Sequence, residues 1–201
     1  MRYLKIIAAL AALSPLPAVA ATKVLSDGNG TSATIYDDRA EWLAALGVGD
    51  LIEEDFADSR LARGLQLAGT DYELDGTLHQ TLRNSANYLF MDFLGGAEAL
   101  GFDFALVPTD VSQGLALTLR FDNSDIYTSI TKLSGFYGII GSAPLTNLGL
   151  EAARYRTQEY RIDNLAFRAA GVPEPVSWAM MVVGFGAVAG VMRRRRALAF
   201  A

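Results

Sequence analysis

Nucleophilic hydrolysis requires a nucleophile, a base and an acid that orients the base. The sequence supplies few of these. It has one histidine, His79, and no cysteine, and no serine stands in a G-x-S-x-G turn. His79 lies in Leu78-His79-Gln80, the polar end of an expected strand, and reads as a surface residue. One histidine without cysteine gives zinc no ligand set. Carboxylates are plentiful. From Thr22 to Ala170 there are 11 Lys and Arg against 21 Asp and Glu, a net of 11 − 21 = −10. Such a body is repelled by nucleic-acid phosphates and suits an exported domain or one that binds divalent cations. Two carboxylates flanking a sugar could hydrolyse a glycoside, but a short-looped body of roughly 150 residues has little material for the cleft. Sugar binding would instead use exposed rings, with amides and acids for the hydroxyls. Tyr72, Tyr88, Tyr127, Tyr137 and Tyr155 are available, and the sequence does not distinguish exposed from buried ones.

A different constellation closes the chain. Gly171-Val172-Pro173-Glu174-Pro175 is followed by an uncharged apolar run from Val176 to Met192, then Arg193, Arg194, Arg195 and Arg196. The run is near the lower length limit for a bilayer-spanning helix. The arginines would stay on the cytoplasmic side, which places Pro173 to Pro175 on the outer side. The two prolines keep this stretch extended, a form that a processing enzyme can grip.

This ending resembles the PEP-CTERM sorting signal of Gram-negative bacteria, in the variant that opens PEPxxWA. Val172, Pro173, Glu174 and Pro175, then Trp178 and Ala179, then the helix 176–192 and the Arg193–Arg196 cluster are the matching residues. The resemblance implies recognition by an exosortase in the inner membrane, then release to the cell surface or extracellular matrix. Residues 1–20 read as a signal peptide: Arg2 and Lys5, a short apolar stretch from Ile6 to Leu13, and the small-x-small site Ala18-Val19-Ala20. The secretion translocon and signal peptidase follow as partners. Three segments result: 1–20, a body over 21–170, and the sorting signal over 171–201.

Within the body, Asp38 is placed to cap a helix from Arg39 to Leu46, with Glu41 three residues later and Gly47 at its end. Trp42, Leu43 and Leu46 are expected to face the core. The remainder reads as about ten short strands: Ala33–Tyr36, Leu51–Phe56, Gly64–Ala68, Tyr72–Leu78, Asn87–Leu94, Leu100–Leu106, a hairpin of Leu115–Phe121 with Ile126–Leu133, then Phe136–Ile140, Asn147–Leu150 and Glu159–Arg168. In the last of these, Tyr160 and Ile162 share one parity and Leu165 and Phe167 the other, which predicts a bulge near Asp163 and Asn164. The pattern predicts a mainly β fold, an antiparallel β-sandwich with one short helix.

The strand Tyr160 to Phe167, with its Ile162-Asp163-Asn164-Leu165 core, resembles the last strand of galactose-binding-type jelly rolls. The helix after Tyr36-Asp37-Asp38 and the strand Glu53-Glu54-Asp55-Phe56 are similar to the opening of such modules. That resemblance implies a structural calcium tying first strand to last, at Glu53, Asp55 and Asp163, with Glu54 or Asn164 as substitutes. Asp122 with Asp125 is a second, weaker calcium candidate. Three functional readings stay open: a non-catalytic envelope or matrix protein that binds exopolysaccharide, a surface enzyme acting on polysaccharide, and a permanently tail-anchored protein facing the periplasm.

Overall fold

The computed structural model describes residues 23–83, 87–108, 114–152 and 157–171. The segments expected as a signal peptide (1–20) and a sorting signal (motif 172–175, apolar run 176–192, arginines 193–196) lie outside the described residues. Among the described residues no helix is long and apolar enough to cross a membrane.

The elements are β1 (Lys23–Ser26), β2 (Ser32–Tyr36), α1 (Arg39–Leu46), β3 (Ile52–Glu54), β4 (Leu65–Gly69), β5 (Tyr72–Leu74), β6 (Leu78–Leu82), β7 (Leu89–Val107), β8 (Leu115–Phe121), β9 (Ser124–Ile130), β10 (Ser134–Ala152) and β11 (Gln158–Ala169). All pairings are antiparallel. Two long strands, β7 and β10, each run 19 residues and serve two layers. The second half of β7 and the first half of β10 lie in one layer, ordered β1-β2-β10-β7-β11-β6-β5, with β3 on β11. The other halves continue into a second layer, where β4 flanks β7 and β8 then β9 flank β10. Gly95 and Gly96 sit at the bend with φ of 86° and 81°, a backbone state that glycine reaches without a Cβ penalty. At Gly96 a Cβ would also come within 2.7 Å of the Pro144 ring. The β10 register shifts between Ile140 and Leu145 at the same bend.

Alternation supplies the core. Leu100, Phe102, Phe104 and Leu106 of the first layer face inward, as do Leu89, Met91, Phe93, Leu115, Leu117 and Leu119 of the second, and they form one buried cluster. The body is therefore an antiparallel β-sandwich made by folding one sheet over itself.

Two expected strand pairs are fused: Asn87–Leu94 joins Leu100–Leu106, and Phe136–Ile140 joins Asn147–Leu150. Gly95-Gly96, which falls between the two expected strands, is a bend within one strand. Tyr72–Leu78 is instead split, because Asp75-Gly76-Thr77 turns the chain from β5 into β6. The bulge in β11 is present. Asp163 faces Asp103 and Ala166 faces Gly101, so two residues oppose one, and Asn164 adopts a φ of 48°.

The helix forms where its caps predict. The Asp38 carboxylate accepts from the Glu41 N–H at 3.0 Å, and Gly47 ends the helix with a φ of 67°. Trp42 is buried and Leu46 half-buried, whereas Leu43 is exposed. A helix this short rests on the sheet along a narrow stripe, and Leu43 falls outside it. From β11, Arg168 Nη1 donates to the Leu46 carbonyl at 2.9 Å, satisfying an end the helix leaves open.

Candidate functional site

Two surfaces have the composition of a site. The first is a groove of about 640 Å³ on the outside of the first layer, where β3, the start of α1 and the β11 bulge meet. It is lined by Arg39, Glu53, Glu54, Asp55, Asp58, Arg60, Asp103 and Asn164, among others. The bulge turns Asn164 so that its Nδ2 donates to Asp103 Oδ2 at 2.9 Å. Arg39 Nη2 lies 3.2 Å from the same oxygen and donates to the Asn164 carbonyl at 2.8 Å. The Arg39 guanidinium also sits 4.7 Å from the centre of the Phe136 ring.

Most of the groove's acids are engaged locally. Asp55 Oδ1 accepts from the Ala57 N–H at 3.0 Å and Asp58 Oδ1 from the Arg60 N–H at 2.6 Å. Glu54 is the buried carboxylate of the groove, and it accepts from the N–H groups of Phe56 and Ala62. Of the residues implied for calcium, Glu53 and Asp55 line the groove. Asp163 Oδ1 accepts from the Asn164 N–H at 2.6 Å, and Asp163 is not among the lining residues. Among the described residues no three His, Cys, Asp or Glu side chains converge as a cation site would require. Asp125, of the second candidate pair, holds Arg120 instead. The groove residues Arg39, Asp58, Arg60 and Asp103 carry no signal in the sequence. The bulge joins Arg39 to Asp103 through Asn164, and the loop after β3 brings Asp58 and Arg60 beside them.

His79 is half-buried on the outer side of β6, with Nε2 3.1 Å from Glu159 Oε1. Its register partners are Glu73 on β5 and Arg161 on β11. Among the described residues no serine hydroxyl is bonded to it.

The second surface is the outer face of the second layer. No other described element covers it, because α1 packs on the first layer. Register aligns two rows across β4, β7, β10, β8 and β9. One row is Ala68, Phe90, Gly149, Thr118 and Tyr127. The other is Gln66, Asp92, Asn147, Arg120 and Asp125. Phe90 lies down across Gly149, where a Cβ would meet its ring at 2.9 Å. Tyr88 packs on Phe90 with ring centres 4.9 Å apart, and the Arg120 guanidinium lies over the same ring, 5.9 Å from its centre. Tyr88 is 47% and Tyr127 72% exposed; Tyr127 ends the first row three strand spacings from Phe90, about 14 Å at the usual spacing, and Tyr88 flanks the row just before β7, two residues from Phe90. Asn147 Nδ2 donates to Asp92 Oδ1 at 2.6 Å, and Arg120 Nε lies 3.2 Å from Asp125 Oδ1.

The available tyrosines are thus sorted. Tyr88 and Tyr127 are exposed, Tyr72 is half-buried and Tyr137 is buried, while Tyr155 lies outside the described residues. Burial pushes the Tyr137 phenol up. It does the same more strongly at Tyr160, whose hydroxyl donates to Gln80 Oε1 at 2.7 Å.

Away from both surfaces, Lys132 Nζ lies 2.7 Å from Asp37 Oδ2 and holds that carboxyl below the usual carboxylate range. Backbone N–H groups of Asn29 and Thr31 do the same for Asp27 in the β1–β2 turn. A depressed folded pKa stabilises above the unfolded value, and the contribution is lost as pH falls through the folded value. Urea midpoints should therefore be flat near neutrality and fall below about pH 4. Asp37→Asn should make that acid decline shallower. Because the Asp37–Lys132 pair is exposed, its share is at most about 1 kcal/mol.

No protein-family model matches the chain, and no curated protein matches it. Among solved structures, the chain is similar to carbohydrate-binding modules. One described as carbohydrate-binding module family 29 is 14% identical over 58% of this chain and 85% of its own, with a TM-score of 0.42. A variant of the module CBM29-2 complexed with cellulohexaose is 16% identical over 59% and 88%, with a TM-score of 0.42. Another variant, complexed with mannohexaose, is 14% identical over 58% and 88%, with a TM-score of 0.43.

Proposed function

We propose that this chain is an exported, non-catalytic protein of the cell envelope or extracellular matrix that binds polysaccharide through the outer face of its second layer. The reading rests on one observation: a sheet face that no other described element covers, carrying the exposed rings of Tyr88 and Tyr127 beside a row of hydrogen-bonding side chains. The flat faces of pyranose rings stack on aromatics, and their hydroxyls bond to acids, amides and guanidinium groups. The first layer's groove supports a binding or scaffolding role over a catalytic one. Its buried carboxylate already accepts two backbone N–H groups, leaving it poorly placed as a proton donor to a sugar.

Export and sorting belong to the same proposal. The signal peptide would direct the chain through the translocon. An exosortase would act at Pro173–Pro175 while the apolar run 176–192 holds the chain in the inner membrane. A structural calcium at Glu53 and Asp55, with Asp163, would need side-chain movement to converge.

Two readouts test the proposal on protein purified from native cells. The C-terminal peptide should end near Pro173–Pro175; an intact terminus retaining Arg193–Arg196, found only in membranes, would leave a tail-anchored protein. In gels cast with the cells' own extracellular polysaccharide, the protein should be retarded. Tyr127→Ala should lose about tenfold in apparent affinity, the size expected for removing one stacking ring. Unretarded migration would sink the binding role.

A further inference from the structure

Resting on that reading, we infer that the outer face of the second layer selects uncharged glycans over uronate-bearing ones, with Asp125 as the residue that sets this preference. Among the described residues, Asp92, Asp125 and Glu151 place three carboxylates on the face, against the single guanidinium of Arg120. A carboxylate only accepts hydrogen bonds, so the face calls for a donor-rich ligand, and a polyol is one. A uronate chain would instead bring like charge to this face. It would also meet a body whose formal net charge over residues 22–170 is −10, which disfavours encounter at low salt.

Among the described residues, Arg120 is the one group on this face suited to gripping a carboxylate. It is already engaged: its Nε lies 3.2 Å from Asp125 Oδ1, and its guanidinium reaches over Phe90. The two residues are direct register partners on β8 and β9, so backbone pairing holds them together. Removing the Asp125 charge frees the guanidinium without touching the core, because both side chains are partly exposed.

The test is affinity electrophoresis of the full mature chain, in gels containing soluble neutral glycans (β-glucan, galactomannan, dextran) or polygalacturonate, at low and physiological salt. At low salt the wild type should be retarded by a neutral glycan and about fivefold less by polygalacturonate, the gap narrowing with salt. Asp125→Asn should raise polygalacturonate retention about threefold relative to neutral-glycan retention, which falls with the lost carboxylate acceptor. Asp92→Asn serves as a second charge-removing variant should Asp125→Asn misfold. Equal or stronger wild-type retention by polygalacturonate overturns the selectivity and leaves polysaccharide binding standing. No retention by any glycan, with Tyr127→Ala indistinguishable from wild type, overturns both. So does self-association that rises with protein concentration and is abolished by Tyr127→Ala, since a second copy would then occupy the face.

Discussion

Trp42→Ala is expected to lower the unfolding free energy by about 3–5 kcal/mol, the cost of deleting a fully buried large ring. Trp42 is the one large side chain of α1 that is buried, with none of its surface exposed. Its Nε1 donates to the Ile139 carbonyl at 3.3 Å, and its ring packs on Phe136 with centres 5.5 Å apart. The sheet is shaped to receive it. Gly101 and Gly138 are direct partners across β7 and β10. A Cβ on Gly138 would lie 2.7 Å from the Trp42 ring and 2.7 Å from Phe136; one on Gly101 would lie 2.7 Å from Phe136. The two glycines leave a floor on which the indole can lie against backbone.

This geometry makes a second, sharper expectation. Gly138→Ala should destabilise the wild type by about 1–3 kcal/mol through overpacking. In the Trp42→Ala background the new methyl enters vacated space, so the penalty should shrink by about 1 kcal/mol or more. Urea unfolding of the four proteins measures the cycle. Strict additivity would mean that Trp42 does not rest on this floor. Loss of Trp42 should also loosen the groove, since α1 carries the Arg39 that bonds to Asp103 and Asn164.

Where one residue type has one plausible position, the sequence is legible. Asp38, Glu41 and Gly47 mark both ends of α1 because capping is local chemistry. The parity switch between Ile162 and Leu165 marks the β11 bulge because one face of the strand must stay apolar. Neither signal says what the bulge meets. Asn164 and Asp103 stand 61 residues apart, and only the folded sheet brings Arg39 to both. The outer face of the second layer was hidden for a different reason. In Asn87-Tyr88-Leu89-Phe90-Met91-Asp92-Phe93-Leu94 apolar residues occupy both parities, so alternation does not show that Leu89, Met91 and Phe93 point inward and Phe90 outward. Gly95-Gly96 misleads in the same way. A diglycine usually signals a turn, yet here it bends one strand from the first layer into the second.

Glu54→Ala should cost about 3–5 kcal/mol, from two lost charge-assisted hydrogen bonds and the N–H donors left without partners. Glu54 pairs with Leu165 at the end of β3, and from there its carboxylate reaches back over the loop that follows. Oε1 accepts from the Phe56 N–H at 2.7 Å, and Oε2 accepts from the Ala62 N–H. Phe56 is fully buried and holds a φ of 54°, a strained state for a side chain without local hydrogen-bonding groups. Its carbonyl accepts from the Gly76 N–H at 2.9 Å, so the strained residue is pinned from both sides. The carboxylate thus fixes the loop that brings Asp55, Asp58 and Arg60 to the groove. Glu54→Gln separates charge from shape. The amide oxygen can replace one acceptor, but its NH2 faces a second N–H donor, so about 2 kcal/mol should still be lost. Limited trypsin digestion gives an independent readout, because Arg60 and Arg63 lie in this loop. Both variants should be cleaved there faster than wild type under conditions where the remainder stays folded. A Glu54→Gln protein as stable and as protease-resistant as wild type would show that one hydrogen bond suffices to hold the loop. The groove's acids would then owe their placement to the pairing of β3 with β11 alone.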